Sequence, residues 1–187
     1  MPVITIIRHA EAAHNAAFDL LNNDIVFQDP KHQDASITEK GIQQAQEVGK
    51  NLEMTSFDAV FCSPLTRCIQ TMECILPLEK RNSIPVTLHD NLLEKQSAKH
   101  ICNKRKTRDE LVELYPQYEI ITNSSDPKVW PYPESTDSVH NRMSVLINTI
   151  KKTHQADENI LLVSHYNSIL ALTGIQLPNC GRLIMKC

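Results

Sequence analysis

The 187-residue chain is 41% hydrophobic and 22% charged, a globular balance that excludes a disordered or fibrous polypeptide. With a formal net charge of -3 and both signs interspersed, it has no general attraction to nucleic acid or to an anionic membrane, so neither partner is expected. The length suits one domain over 1–187. Six cysteines without a Cys-x-x-Cys pair offer neither a zinc site nor a disulfide framework, and no signal-peptide pattern precedes the first apolar run. A reducing cytoplasmic or nuclear setting is therefore expected, and since no apolar stretch approaches the roughly 20 residues that span a bilayer, no transmembrane segment is expected.

The chain opens on Val3-Ile4-Thr5-Ile6-Ile7, a β-branched run of the kind buried on both faces of a parallel sheet, and stops at Arg8-His9. Ala10 to Leu21 reads as a helix, and Asn22 to Asp34 as a polar loop. Ser36 with Glu39 has the form of a capping box, after which Gly41, Ala45, Val48 and Leu52 recur at helical spacing to about Met54. Asp58 to Cys62 reads as a second buried strand, with Ser63 as N-cap and Pro64 as first residue of a helix through about Leu76. Ile84 to His89 follows as a third strand, then the basic segment Lys99 to Arg108 and a short helix ending at Tyr115-Pro116. Ser124 to Pro133, with Pro127 and Pro131 around Trp130, reads as a surface loop or lid. Val139, Met143, Leu146, Ile147 and Ile150 mark one face of a long helix. Asn159 to Val163 is then a buried strand, and a helix from about Asn167 and a strand at Arg182 to Met185 close the chain.

Strands alternating with helices predict an α/β fold, a three-layer sandwich with a mostly parallel central sheet whose ligands sit at the carboxyl ends of the strands. Arg8-His9, Ser63 and His165 all stand at such ends, and Arg67 lies one turn into the helix after Ser63. Taken singly, a buried histidine is more often a hydrogen-bonded core residue, and a helical arginine a surface ion-pair partner. Together, two guanidiniums beside two imidazoles suit a phosphoryl group, because each guanidinium can grip it through two parallel hydrogen bonds.

Six segments carry a family resemblance in the right order: Arg8-His9-Ala10-Glu11 with Asn15 six residues beyond the histidine; Asp34-Ala35-Ser36-Ile37-Thr38-Glu39-Lys40-Gly41-Ile42-Gln43-Gln44-Ala45; Ser63-Pro64-Leu65-Thr66-Arg67-Cys68-Ile69-Gln70-Thr71; Asn91-Leu92-Leu93-Glu94; Glu134-Ser135 with Arg142; and Leu162-Val163-Ser164-His165. The set resembles the histidine phosphatase superfamily, also called phosphoglycerate mutase-like, with Ala10 standing in the place of a glycine. The resemblance implies a phosphoglycerate mutase-like fold and an acid-type phosphatase, without metal or cofactor, that hydrolyses a phosphomonoester through a phosphohistidine on His9. It implies that Arg8, Asn15, Arg67 and His165 hold the phosphoryl oxygens. Glu94 would protonate the leaving oxygen, with Asp90 and Glu11 as substitutes, and Glu134 would support the site from behind. An apolar wall around Glu94 is expected to keep it protonated.

The substrate is expected to be a phosphorylated small molecule or a phosphoprotein, and the oligomeric state stays open. Two other readings stand beside hydrolysis: a phosphoglycerate mutase, and a phosphatase-like domain kept for protein binding. Lys95-Gln96-Ser97-Ala98 does not supply the Arg-Tyr-Gly type of element found in the mutases, which favours hydrolysis. Lys99, Lys104, Arg105, Lys106 and Arg108 either select a polyanion or form a solvated face. Tyr166, where many members carry glycine or alanine, is expected to narrow the space beside the phosphate, and Trp130 with Tyr132 either lines the pocket or anchors its loop.

Overall fold

Apolar residues on both sides of the strands dictate a sheet covered on both faces. In the computed structural model, which describes residues 1–124 and 133–186, β1 (Val3–Arg8) and β5 (Asn159–Ser164) pair in parallel at the centre. β2 (Ala59–Cys62), β3 (Val86–His89) and β4 (Glu119–Ile121) extend the sheet on the β5 side, all parallel. β6 (Arg182–Lys186) pairs antiparallel on the other edge, giving the order β4-β3-β2-β5-β1-β6.

Side chains alternate across the sheet, and each set meets its own helices. Ile7, Val60, Cys62, Leu88, Leu161 and Val163 pack on α2 (Glu39–Asn51) and α3 (Thr66–Ile75). Ile4, Ile6, Ala59, Ile160 and Leu162 pack on α6 (Thr136–Thr153) and α7 (Tyr166–Thr173), where the expected stripe Val139, Met143, Leu146, Ile147 and Ile150 is buried. The expected three layers are therefore present.

Several element boundaries differ from the sequence reading. The first helix, α1 (Ala13–Leu21), starts three residues late because Ala10–Ala12 runs extended, with Ala12 bridging Ile37. Thr38, not Ser36, caps α2: its side chain accepts from Gly41 N, while the Ser36 hydroxyl accepts from Gln70. Nor does Ser63 cap a helix, since α3 begins at Thr66 with Leu65 at the cap position. β4, the short helix α4 (Leu78–Arg81) and the one-turn 3-10 pieces inside the Asn22 to Asp34 loop carry too little periodicity to be read from sequence. The short helix before Tyr115-Pro116 is α5 (Arg108–Leu114). The expected Ser124 to Pro133 loop, with Pro127, Trp130, Pro131 and Tyr132, lies outside the described residues from 125 to 132. Among the described residues no helix is long and apolar enough to cross a membrane.

Two structural devices fix the rim of the sheet. A Cβ on Gly41 would lie 2.2 Å from the Glu11 carbonyl oxygen, so the first turn of α2 can approach the segment after His9 only with glycine there. Gly41→Ala is accordingly expected to cost about 1–3 kcal/mol through overpacking against backbone, read as a lower urea midpoint with unchanged m-value. The second device is a fully buried ion pair after β3, in which Arg105 Nε and Nη2 donate to the Asp90 carboxylate at 2.7 and 2.9 Å. Lys106 pairs with Asp34 at 2.6 Å. At Arg105 and Lys106, therefore, the basic segment is neither a solvated face nor a substrate selector: it ties the loop after β3 to the body of the protein.

Candidate active site

The sheet register brings the two candidate histidines together. Arg8 pairs with Ser164 across β1 and β5, strands about 4.8 Å apart, so the next residue on each strand must be a close neighbour. The rings of His9 and His165 are 5.1 Å apart between centroids. Cys62 pairs with Val163, which puts Ser63 beside them, and His165 Nε2 shares a 2.7 Å hydrogen bond with Ser63 Oγ. The Cys68 thiol lies 3.4 Å from the same Nε2.

A cavity of about 530 Å³ opens at this rim. Arg8, His9, Asn15, Arg67 and Glu94 line it, five of the six residues for which a catalytic or phosphate-binding role was expected. His165, the sixth, is fully buried beside His9 and is not on the cavity wall. Arg67 is held in place by Nη1 donating to Cys102 O at 2.9 Å and Nη2 donating to Asn103 Oδ1 at 3.0 Å, while its buried Nε has no partner. Arg8 donates from Nη1 to Leu177 O at 2.9 Å and lies over the Tyr166 ring, 5.0 Å from its centroid. Tyr166 therefore forms a cation–π shelf under Arg8 as well as lining the cavity.

The imidazole of His9 has a defined tautomer. Its Nδ1 lies 2.7 Å from Ala10 O, and a carbonyl can only accept, so Nδ1 carries the proton and Nε2 keeps its lone pair. Burial, followed by the Arg67 and Arg8 charges, holds the His9 pKa well below the usual histidine value, so the ring is neutral. His165 is lowered in the same way by burial, then Arg67 and His9. The result is a neutral nitrogen base between two guanidiniums.

The surroundings of Glu94 correct the expected apolar wall. One carboxylate oxygen accepts from Lys95 N at 2.7 Å and the other from Asn167 N at 3.2 Å, both polar main-chain donors. The substitutes for Glu94 lie elsewhere: Asp90 is committed to Arg105, and Glu11 accepts from Thr38 and pairs with Lys40 at 2.6 Å. Glu134 is likewise off the cavity, with both oxygens on Arg142 at 2.7 and 3.1 Å and Oε2 also accepting from Gln96 N. Among the described residues no three His, Cys, Asp or Glu side chains gather to hold a metal ion.

The sequence model of the histidine phosphatase superfamily (branch 1) matches residues 4–179, nearly the whole chain. The chain belongs to the histidine phosphatase superfamily. A 2,3-bisphosphoglycerate-dependent phosphoglycerate mutase from Bacteroides fragilis is 30% identical over 196 residues, covering 90% of this chain and 75% of its own. Such a mutase from Arabidopsis thaliana is 25% identical over 46% of this chain, and the match spans only about a quarter, 26%, of the plant protein. The ecdysone phosphate phosphatase from Bombix mori, solved in complex with tungstate, superposes with a TM-score of 0.72 at 15% identity, over 100% of this chain and 90% of that one.

Much of the superfamily signature is scaffold in this chain. Thr71 Oγ1 accepts from Ala10 N at 2.9 Å and donates to Arg67 O at 2.6 Å, tying the His9 loop to the arginine. Gln44 Oε1 accepts from Glu11 N, and Gln70 Oε1 from Ile37 N, each at 2.9 Å. The superfamily pattern thus encodes the mould of the loop as well as its chemistry. Outside the pattern, the structure adds His14, Phe18, Phe27, His100 and Asn103 to the cavity wall. Asn179 stands there too, and its Nδ2 donates to His9 O at 3.0 Å. His14 and Phe18 come from α1, and the others from loops and 3-10 turns, where no periodicity signals proximity to His9.

Proposed function

We propose that this chain hydrolyses a phosphomonoester through a phosphohistidine on His9, without a metal. The observation that carries the reading is the Nδ1 hydrogen bond to Ala10 O, which leaves a neutral Nε2 in a cavity flanked by Arg8 and Arg67. Nε2 attacks phosphorus in line as the bond to the alcohol oxygen breaks, and Glu94, which must enter this step protonated, gives that oxygen its proton and is left as the carboxylate. Arg8, Arg67 and Asn15 bind the phosphoryl oxygens as charge spreads over them. His165, fixed by Ser63, packs beside the His9 ring. Water then attacks the phosphohistidine, Glu94 takes the water proton, and inorganic phosphate leaves a neutral His9.

Hydrolysis is favoured over transfer back to substrate because Lys95 to Ala98 lacks the mutase element, and because the Bombix mori phosphatase matches the full length of this fold. A cytoplasmic location and a phosphorylated small molecule or phosphoprotein as substrate complete the proposal. The test is a rapid-quench experiment with an aryl phosphate, followed by peptide mass spectrometry. A base-stable, acid-labile phosphoryl group on His9 is the expected result. Turnover with no label, or a label on another residue, overturns the mechanism, and absence of any turnover favours the protein-binding reading.

A further inference from the structure

We propose that the cavity selects phosphate esters of alcohols that carry a flat ring and no second anionic group, an inference that rests on the phosphatase reading. The volume of about 530 Å³ falls within the roughly 300–1,000 Å³ that takes drug-sized molecules, far beyond what a phosphoryl group on a short carbon chain fills. Part of the wall is aromatic, with Phe27 as its hub. The Phe27 ring stacks on Phe18 with centroids 5.2 Å apart and planes 22° from parallel, meets His100 at 5.2 Å, and meets His14 edge-on at 6.0 Å. Phe18, Phe27 and His100 are each only partly buried and line the cavity, so this stacked cluster presents part of its aromatic surface to a flat guest.

Charge points the same way. Among the described lining residues the arginines are Arg8 and Arg67, both beside His9, and the remaining ionic side chains are the carboxylates Glu94 and Asp19. A second carboxylate or phosphate on the substrate would therefore find, among the described lining residues, Glu94 and Asp19 and no cation beyond the two arginines that hold the phosphoryl group. Arg105 and Lys106 do not supply one, because they are bound to Asp90 and Asp34. His14 adds a polar point of contact: its ring centroid lies 6.2 Å from that of His9, and its buried Nδ1 has no partner in the protein. Burial holds the His14 pKa down at about 2, so the ring offers a hydrogen bond and no positive charge.

The test compares kcat/KM for three esters with alkoxide leaving groups, so that chemistry does not mask recognition: 2-naphthylmethyl phosphate, sn-glycerol 3-phosphate and 3-phosphoglycerate. The naphthyl ester is expected to be at least on the order of tenfold better than the glycerol ester, with the carboxylate-bearing ester poorest. Phe27→Ala and the better-packed Phe27→Leu, both checked for folding by thermal melt, are expected to cut the naphthyl-to-glycerol ratio on the order of tenfold and threefold. Equal or inverted preference, or a ratio that ignores Phe27, overturns the inference. His9→Ala separates the two failures: if it abolishes turnover of all three esters while selectivity is absent, only the substrate inference falls, whereas retained turnover removes the phosphatase reading itself.

Discussion

A His9→Ala variant is expected to lose on the order of 10⁴-fold or more in kcat/KM toward any phosphomonoester, because it removes the atom to which the phosphoryl group is transferred. The fold should survive. The ring is anchored by one bond to its neighbour Ala10, and the loop around it is held by Thr71, Gln44 and Asn179. Circular dichroism and a thermal melt check that point. The parent enzyme offers a second readout. Burial and the two arginines keep His9 neutral well below pH 6.5, so kcat/KM should show no histidine inflection between pH 6 and 8. An acid limb near pH 6 should instead follow the second ionisation of the substrate phosphate, with a pKa of about 6. Substrates with a different second pKa should shift the limb in step. A limb that stays fixed across substrates, or a His9→Ala variant within tenfold of the parent, contradicts the assignment.

The parts of this site legible in the sequence are those whose position follows from strand register. His9 and His165 directly follow adjacent parallel strands, and two β-branched or leucine-rich runs announce those strands, so their convergence is written in the sequence pattern. Arg67 was legible from its helical offset, even though α3 starts later than Ser63-Pro64 suggests. Glu94 sits where the ordered motif places it, but its surroundings are polar rather than apolar, because the N–H groups of Lys95 and Asn167 are main-chain donors that no residue letter reveals. Likewise, Thr71 and Gln70 are recognisable as part of a pattern, while their task of fastening Ala10 and Ile37 is visible only in three dimensions. The aromatic wall was illegible for a different reason. Phe18 sits on α1, Phe27 in the 3-10 turn Asp24–Gln28 and His100 before the turn Ile101–Asn103, and the packing of α1 and these turns on one another, which no sequence pattern announces, brings them together.

Acidification is expected to destabilise the fold steeply, and the same buried histidines are the cause. His9, His14 and His165 all have pKa values held below the ordinary 6.5, burial first and the Arg67 charge second in each case. In the unfolded chain each would take up a proton as pH falls through about 6.5, whereas in the folded protein each stays neutral. The unfolded state therefore binds more protons in this window, and linkage makes stability fall with falling pH. Stability is fully present above about pH 7 and is lost progressively below 6.5, down to the folded-state values, about 2 for His14. Each group contributes at most about 1.4 kcal/mol per pH unit, so the three together approach about 4 kcal/mol per unit near pH 5.5. Carboxylates held by partners, such as Glu11 beside Lys40, add to the loss only nearer pH 4. Urea unfolding at half-unit steps from pH 7 to pH 5 measures the slope. Replacing His14 with glutamine is expected to remove about one proton from it, lowering the slope by about 1.4 kcal/mol per unit. Vanadate or tungstate bound between Arg8 and Arg67 should also flatten it, since an anion there offsets the arginine charge that adds to burial in lowering the His9 and His165 pKa values. A slope worth one proton or fewer in the parent would show that these histidines take up protons in the folded state and that His9 is not the neutral base the mechanism requires, and a slope untouched by His14→Gln would show the same uptake at His14.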